Sequence, residues 1–524
     1  MPRKPKPKNT LSAGERAKLY EAEQQEKQKR MRFQDENASE IIAREQNRMP
    51  AADVEIINEL PTHEVTQKPK KELPKPQKAL VKVDFSIPTG EIKPLHGMCN
   101  GPLSYGADIT HAFREIGVPY VRFDCTDTAM SACAVDVSRI FKNPYADPAD
   151  EESYDFSITD RYVEAVLLSG AKVIFRLGES CDMLRNDCAK CRLAPDDLIK
   201  VCVSIIKHYN DRWASGYSYG IEYFELWNLA PESSGNEREA DFETYRRLAN
   251  AIKLYDENIK VGGISFDGFD GAREFLRFCN RTRTPVDFIT VDVFDGDIEA
   301  VGKNAEKFSS FIRNSGMNDL EIMIGKWSYI DLDVLNGADL SKTLSGSGEK
   351  NAELKKQIFT SQCSVKGAAF AAALMLRLNS VQMISVACHF DAQPMVSPFC
   401  SITDRFGDPK KPFYAFKAYG DLYRARKAVF CESEQFEGFA HTGIYASAAL
   451  SDFGEGYLMI ASFDGCGTVD VRLDGIPDDL YTADVYMLDG VKNMTLADSI
   501  PLSGTKKRLV LNVSEYGAML IKLY

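Results

Sequence analysis

Short apolar runs alternate with longer amphipathic segments between residues 79 and 428. An apolar run of about four to eight residues is typical of a strand buried on both faces, and apolar spacing of three and four is typical of a helix. Eight strands that alternate with helices predict an α/β fold, a closed parallel (β/α)8 TIM barrel rather than an open sheet. The strands are predicted at Leu95–Asn100, Tyr120–Phe123, Val173–Leu177, within Ile221–Glu232, and at Lys260–Ile264, Val286–Val291, Leu320–Ile324 and Gln382–Cys388.

The helices predicted between these strands differ in length. Phe275 is expected in a short helix, whereas Lys350–Leu378 is expected to form one long helix that is apolar along most of its second half. The remaining helices are predicted at Asp108–Ile116, Arg161–Leu168, Ala194–Asn210, Phe242–Leu254 and Ala305–Asn314.

From about Phe430 the pattern changes to short alternating runs separated by Gly and Asp turns. This pattern predicts a C-terminal antiparallel β-sandwich over residues 429–524. Residues 79–86, ALVKVDFS, also alternate, and we expect this strand to pair with the sandwich although it precedes the barrel. The sandwich strands are predicted at Gly443–Ala448, Gly456–Phe463, Thr468–Leu473, Thr482–Leu488, Arg508–Val513 and Gly517–Leu523.

Residues 1–78 differ in composition from the rest of the chain and form a predicted disordered or helical tail. Leu11–Met49 holds many Glu, Gln, Lys and Arg residues, and Ser12 with Glu15 fits a capping box at the start of a long solvated helix. Pro61–Pro76 is rich in Pro and Lys and predicts a linker. The tail either docks a partner, such as an acidic protein or a membrane surface, or only keeps the protein in solution.

Charge and hydropathy exclude several classes of function. The net charge of −12 argues against nucleic-acid binding by the body of the protein. No apolar run reaches the roughly 18 residues that suggest a transmembrane segment, and residues 1–30 lack the apolar core of a signal peptide. We therefore expect a cytoplasmic protein.

The chain has 13 cysteines, which are scattered and, in this compartment, expected to be mostly reduced. Cys181, Cys188 and Cys191 form the densest group, but a structural zinc site needs about four ligands and these three have no histidine nearby. Cys125 or Cys133 could supply a fourth ligand; loop thiols are the simpler interpretation. No metal and no cofactor are expected.

The stretch Ile221–Glu232, IEYFELWNLAPE, carries the clearest signature in the sequence. Glu225 stands among apolar and aromatic residues, and Asn228 follows at the carboxyl end, where a (β/α)8 barrel has its active site. The stretch resembles the fourth barrel strand of retaining glycosidases of clan A, in particular glycoside hydrolase family 39, which includes β-xylosidases and α-L-iduronidases. Other segments that match the family in order are 95–102, 117–122, 135–141, 154–160, 175–180, 260–263 and 411–416.

The resemblance implies two catalytic glutamates, and both are replaced. The family has Trp-Asn-Glu-Pro on strand four, where the Glu is the general acid/base, and this chain has Leu229 at that position. The family nucleophile is the Glu of a Glu-Trp pair on strand seven, and here Lys326 precedes Trp327. Phe123, Asp292, Phe294 and His389 also stand where the family usually has other residues.

These replacements remove the usual chemistry. A retaining glycosidase needs two carboxyl groups about 5–5.5 Å apart, one to attack the sugar and one to transfer a proton. The side chain of Leu229 cannot transfer a proton, and the ammonium of Lys326 opposes a cationic transition state. Three alternatives remain open: Glu232 moves in as the acid, Lys326 pairs with Asp292 or Glu179, or carboxylates at other strand ends take over. Candidates for such displaced acids are Glu232, Asp292 and Glu179, with Asp124 and Asp391 also at strand ends.

Four residues are candidates for sugar binding. Trp227, Trp327 and His389 lie at or near strand ends, where an aromatic face can stack on a sugar, although barrel-wall packing explains tryptophans as well. The resemblance implies that Asn228 binds the substrate 2-hydroxyl. The leading hypothesis is a carbohydrate-binding pseudoenzyme. The alternatives are an active, β-xylosidase-like hydrolase with displaced carboxylates, and an inert scaffold docked through its tail to a protein partner.

Overall fold

The computed structural model of the chain describes residues 77–104, 106–124, 133–182, 187–188, 193–228, 236–394, 397–434, 443–465, 467–476, 482–502 and 507–524. Residues 1–76 of the tail predicted at 1–78 therefore lie outside the described residues, as do Leu229, Glu232 and Cys191. No helix in these ranges is both long enough and apolar enough to cross a membrane.

Eight parallel strands form a closed barrel in chain order, and the last pairs with the first. Their central positions are buried on both faces, which is why they appear in the sequence as apolar runs. All eight lie where the sequence predicts them, so the predicted barrel is confirmed. The strands are β2 (Gly97–Cys99), β3 (Tyr120–Arg122), β4 (Lys172–Leu177), β5 (Tyr223–Asn228), β6 (Lys260–Asp267), β7 (Phe288–Asp295), β8 (Glu321–Tyr329) and β9 (Ile384–His389).

Twelve α-helices are described, and most of them surround the barrel. They are α1 (Thr110–Ile116), α2 (Val137–Ile140), α3 (Ser157–Leu168), α4 (Pro195–Asn210), α5 (Asn236–Tyr255), α6 (Gly268–Thr282), α7 (Ile298–Asn314), α8 (Leu332–Leu335), α9 (Leu340–Ser345), α10 (Glu349–Gln362), α11 (Val365–Asn379) and α12 (Lys411–Ala425). Short 3-10 turns occur at Glu151–Ser153 and Trp213–Ser215, and two-residue strands pair at 103–104 with 107–108 and at 181–182 with 187–188.

Two helix predictions were wrong in extent. The predicted helix Lys350–Leu378 is broken into α10 and α11, because Ser364 leaves the helical conformation and its hydroxyl accepts hydrogen bonds from the amides of Lys366 and Gly367. The helix at Phe275 is not short: α6 covers 15 residues. The helix α12 was not predicted.

A second sheet has nine strands, of which one precedes the barrel in sequence and eight follow it. The strands are β1 (Gln77–Glu91), β10 (Lys427–Glu434), β11 (Ile444–Leu450), β12 (Gly456–Phe463), β13 (Gly467–Asp474), β14 (Thr482–Leu488), β15 (Asn493–Pro501), β16 (Lys507–Val513) and β17 (Tyr516–Leu523). Their order in the sheet is β15-β14-β17-β12-β11-β10-β1-β13-β16.

The sheet curls around its own apolar core and has the predicted β-sandwich architecture, with one departure from antiparallel pairing. The strand β1 precedes the barrel in sequence and lies between β10 and β13 in the sheet. It is antiparallel to β10 and parallel to β13. β10 and β15 were not predicted. The alternation of β15 is weak because it lies at the edge of the sheet and exposes most of its residues.

Candidate functional site

Lys326 is the centre of a buried ion-pair cluster at the carboxyl end of the barrel. Its Nζ lies 3.1 Å from Asp124 Oδ2 and 3.4 Å from Asp292 Oδ2, and its side chain is 3% exposed. Asp292 is its register partner on the neighbouring strand β7, and Asp124 follows β3. Burial alone would lower the pKa of the Lys326 ammonium, but Asp124 and Asp292 raise it above its ordinary value. The side chain therefore stays charged near neutral pH.

Arg122 extends the cluster across the barrel interior. It donates from Nε to one carboxylate oxygen of Glu225 at 2.6 Å and from Nη2 to the other at 2.7 Å, and its Nη1 lies 3.4 Å from Asp124 Oδ1. Glu225 is fully buried. Burial opposes the charge of Arg122, but Glu225 and Asp124 hold its pKa well above its usual value. The charged residue in the apolar fourth strand is thus explained by a bidentate ion pair.

The cluster leaves little unused space between its members. Ser265 donates a 2.7 Å hydrogen bond to Asp292. A Cβ added at Gly325 would lie 2.1 Å from the Thr290 methyl group and 3.2 Å from both Arg122 Nε and Asp292 Oδ1. Glycine next to Lys326 is therefore required for these charged groups to approach one another.

The separation of the two carboxylates that flank Lys326 bears on catalysis. Because Asp124 Oδ2 and Asp292 Oδ2 both contact one Nζ, they can be no further apart than the two contact distances laid end to end, 6.5 Å. This limit is compatible with the spacing that a retaining glycosidase needs, about 5–5.5 Å. However, the ammonium lies between the two groups, where the reacting carbon of a substrate would have to be.

A second buried cluster follows β4. Arg176 donates to Asp136 at 2.7 Å, and Ser180 donates to the other oxygen of Asp136 at 2.8 Å. Glu179 accepts hydrogen bonds from both the amide and the hydroxyl of Ser138, at 2.9 and 2.8 Å. Burial, together with the like charge of Asp136, raises the pKa of Glu179 to about 7. This carboxyl group can therefore hold or release a proton near neutral pH.

Asp391 is a further buried carboxyl group, and it follows β9. It accepts hydrogen bonds from the amide of Gln393 at 2.7 Å and from the side-chain amide of Gln393 at 3.1 Å. Burial raises the pKa of Asp391 to about 7, although the hydrogen bonds to Gln393 partly oppose the shift.

An apolar cluster lies against Lys326. The ring of Phe390 is 5.7 Å from its Nζ, and the rings of Phe294, Phe390 and Phe399 pack edge to face or tilted with centroids 5.2–5.9 Å apart. Residues from α9 and α10 add to this packing. The cluster reduces the access of water to the ammonium and strengthens its interactions with the carboxylates. Phe123 is not part of this cover, because its ring packs against Phe175.

The structure places Trp327 and His389 in the barrel wall. Side chains alternate along a strand, so Trp327 faces away from the interior that Lys326 faces. Its indole is 1% exposed and packs against Phe370, Phe416 and His389. His389 Nε2 lies 2.8 Å from Ser401 Oγ in a hydrogen bond, and burial lowers the pKa of His389 to about 3. In this arrangement neither ring offers a face for stacking on a sugar.

The strand-four candidates are only partly described. Leu229 and Glu232 lie outside the described residues, and only the backbone of Trp227 and Asn228 is described, with Asn228 paired to Ser265 of β6. The proposed roles of these four residues stay predictions. In the described part of the chain, no group of three His, Cys, Asp or Glu side chains is arranged to hold a metal ion.

Sequence reasoning missed several polar members of these clusters, among them Asp136, Ser138 and Ser265. The first two belong to the matched segment 135–141, and their alternation with apolar residues was the available signal. Nothing in the sequence indicated Ser265, because its role is a hydrogen bond to Asp292 on the neighbouring strand.

The fold, a closed parallel barrel with an attached β-sandwich, is similar to that of solved glycoside hydrolases. A glucosidase from Croceicoccus marinus superimposes with a TM-score of 0.66 and 19% identity, covering 85% of this chain and 99% of the glucosidase. A family 39 enzyme from Xanthomonas axonopodis pv. citri gives a TM-score of 0.57 and 14% identity, covering 86% and 97%. At these identities the likeness shows the fold.

The sequence is also similar to that of one glycosidase family. The model of glycosyl hydrolases family 39 matches residues 145–312. A β-xylosidase from Geobacillus stearothermophilus is 32% identical over 98 residues, which is 17% of this chain and 18% of that protein. The chain thus matches less than a fifth of the length of this relative. The resemblance to glycoside hydrolase family 39 is therefore confirmed.

Proposed function

We propose that this protein binds carbohydrate at the carboxyl end of a family 39-like barrel and does not carry out two-glutamate retaining hydrolysis. The observation that carries the proposal is the position of Lys326, which is buried and held between Asp124 and Asp292 at 3.1 and 3.4 Å. A buried ammonium at the nucleophile position cannot form a glycosyl ester and opposes an oxocarbenium-like transition state.

The nearby carboxylates are already engaged by cations. Glu225 forms a bidentate pair with Arg122, and Asp124 contacts both Arg122 and Lys326. A carboxylate held by a buried cation is a weaker nucleophile and a weaker base than one in open solvent, because the cation stabilises its charge. These interactions favour a structural role for the cluster.

The first prediction concerns turnover and binding by the purified full-length protein. We expect no hydrolysis of a panel of aryl β- and α-glycosides above the rate without enzyme. We also expect measurable binding of xylo-oligosaccharides by calorimetry. An active family 39 β-xylosidase is the positive control for the panel. Turnover that follows the protein through purification would contradict the proposal, and absence of both turnover and binding would favour the inert scaffold.

One observation favours a second candidate function, an active glycoside hydrolase with displaced carboxylates. Glu179 has a pKa of about 7 and lies beyond β4, so it is protonated often enough at neutral pH to act as a general acid. If turnover is found, Glu179→Gln should abolish it, whereas Asp391→Asn tests the other buried carboxyl group with a raised pKa. Turnover that survives in both variants would exclude these two acids.

The raised pKa of Glu179 also predicts a pH dependence of stability. Its pKa is about 7 in the folded protein, against 4.5 for an ordinary glutamate, so between these values the folded state holds a proton that the unfolded state has released. The free energy of unfolding should therefore fall as pH rises from about 4.5 to about 7, by about 3 kcal/mol from this group, and level off above. Glu179→Gln should lack this fall.

Urea unfolding of Glu179→Gln and of the wild type at several pH values checks this expectation. The contributions of other titrating groups cancel when the two free energies of unfolding are subtracted. Ser138→Ala removes a hydroxyl that donates to the carboxylate, which should raise the pKa of Glu179 further and extend the fall to higher pH. A difference between Glu179→Gln and wild type that does not change with pH would show that the carboxyl group is ionised in the folded protein.

A further inference from the structure

Two neighbouring helices on the outside of the barrel each carry a row of basic residues. Arg273, Arg277 and Arg281 follow one another at intervals of four along α6, so they share one face of that helix. Lys303 and Lys307 have the same spacing on α7. We call the surface formed by these five residues the basic face.

Phe311 of α7 joins the two rows. The guanidinium groups of Arg273 and Arg277 lie 4.7 and 5.6 Å from the centre of its ring, which is half-buried between the helices. These contacts hold the α6 side chains toward α7. An open groove of about 540 Å³ runs beside Phe311 and is lined by Lys303, Lys307, Ser310, Asn314 and Ser315, with Glu306.

Most of the positive charge on the basic face is not neutralised locally. Arg273 pairs with Asp270 at 3.0 Å, and the carboxylate of Glu306 is engaged by Arg377 at 2.7 Å. Arg277, Arg281, Lys303 and Lys307 are exposed and form no ion pair with any residue in the described ranges. In a chain with a net charge of −12, a compact group of unpaired cations is a local reversal of sign.

We propose that the basic face binds an anionic polysaccharide, one that carries carboxylate or sulfate groups along its chain. Charge complementarity is the first argument, because arginine and lysine rows provide repeated donors for such groups. The hydroxyl and amide groups of Ser310, Asn314 and Ser315 provide hydrogen-bonding partners for sugar hydroxyls.

The lining of the groove favours this occupant over a protein segment. Phe311 is the one aromatic residue in the groove lining, and the rest of the lining is polar or charged. Protein interfaces depend on apolar anchors in a dry centre, which this surface does not provide. The basic face lies on the outer helices and uses none of the residues of the Lys326 cluster, so the inference does not depend on sugar binding at the barrel end.

The test measures binding of the full-length protein to heparin, which carries sulfate, and to polygalacturonate, which carries carboxylate. The triple variant Arg277→Gln, Lys303→Gln, Lys307→Gln should weaken binding to at least one of them by about tenfold or more. The affinity of the wild type for the polymer should fall as the salt concentration is raised, and the affinity of the variant should depend less on salt. Binding of neutral xylo-oligosaccharides should not change, which separates this surface from the barrel end.

A matched control removes the same charge elsewhere. Lys200→Gln, Lys342→Gln, Lys350→Gln also replaces three exposed cations, at sites away from the basic face. Equal weakening in both triple variants would overturn the proposal, because the effect would then be one of net charge. Failure of the wild type to bind either polymer would also overturn it. Binding of poly-glutamate as tight as that of the polysaccharides would assign the surface to an acidic protein instead.

Discussion

Replacing Lys326 by methionine should lower the free energy of unfolding by about 3–5 kcal/mol. Methionine has nearly the same length, so the packing changes little. The loss arises because Asp124 and Asp292, 2% and 13% exposed, would face each other without the cation that lies between them. Urea unfolding at neutral pH measures the loss, and it should shrink at low pH, where the two carboxyl groups can take up protons.

Two further variants test whether the loss of stability in Lys326→Met comes from its buried ion pairs. Lys342→Met removes a lysine that is 86% exposed and lies 3.7 Å from Asp339, and it should cost less than about 1 kcal/mol. Lys326→Met combined with Asp292→Asn should recover part of the lost stability, since it also removes the charge of one of the two carboxylates that contacted Lys326. A loss for Lys326→Met no larger than that for Lys342→Met would show that the ion-pair cluster is not structural.

Glu225→Gln should cause a loss of similar size, about 3–5 kcal/mol. The substitution is nearly isosteric, so it removes a charge without creating a cavity. It leaves the guanidinium of Arg122, which is 1% exposed, with the more distant Asp124 as its remaining anionic partner among the described contacts of the cluster. The measurement is again the urea midpoint at unchanged slope, which reports stability rather than a change in the unfolded state.

The chain contains a matched control for this pair. Glu243 and Arg246 form a similar two-point contact, at 2.8 and 2.5 Å, but both side chains are more than a third exposed. Glu243→Gln should therefore cost less than about 1 kcal/mol. The double variant Arg122→Met, Glu225→Leu should be more stable than either single variant, since it removes both buried charges. Equal losses at the buried and exposed glutamates would contradict the assigned role of burial.

The barrel could be predicted because its strands are buried on both faces and therefore form apolar runs that stand out from the amphipathic helices. The break at Ser364 could not be predicted from the apolar pattern, which continues on both sides; it depends on one hydroxyl that caps α11. Strand β15 is amphipathic only weakly, because it is an edge strand and has little to bury.

The candidate site was predictable residue by residue but not as a set of contacts. The substitution at Lys326 and the isolated charge of Glu225 are visible in the sequence. That Glu225 meets Arg122, 103 residues earlier, follows only once the barrel has closed. The orientation of Trp327 was in principle predictable: in a strand, a residue next to an inward-facing lysine faces outward.

The position of β1 has a consequence for the order in which the protein folds. β1 joins β10 to β13, and Leu80 pairs with Glu434 across the whole length of the barrel sequence. During synthesis this strand emerges before every strand of the barrel, yet its partners β10 and β13 emerge after all of them. Both edges of β1 therefore stay unpaired until the barrel and the two partner strands have been synthesised. We therefore expect the barrel to form first and assembly of the C-terminal sheet to be the late, slow step of folding, because closing so long a loop is entropically costly.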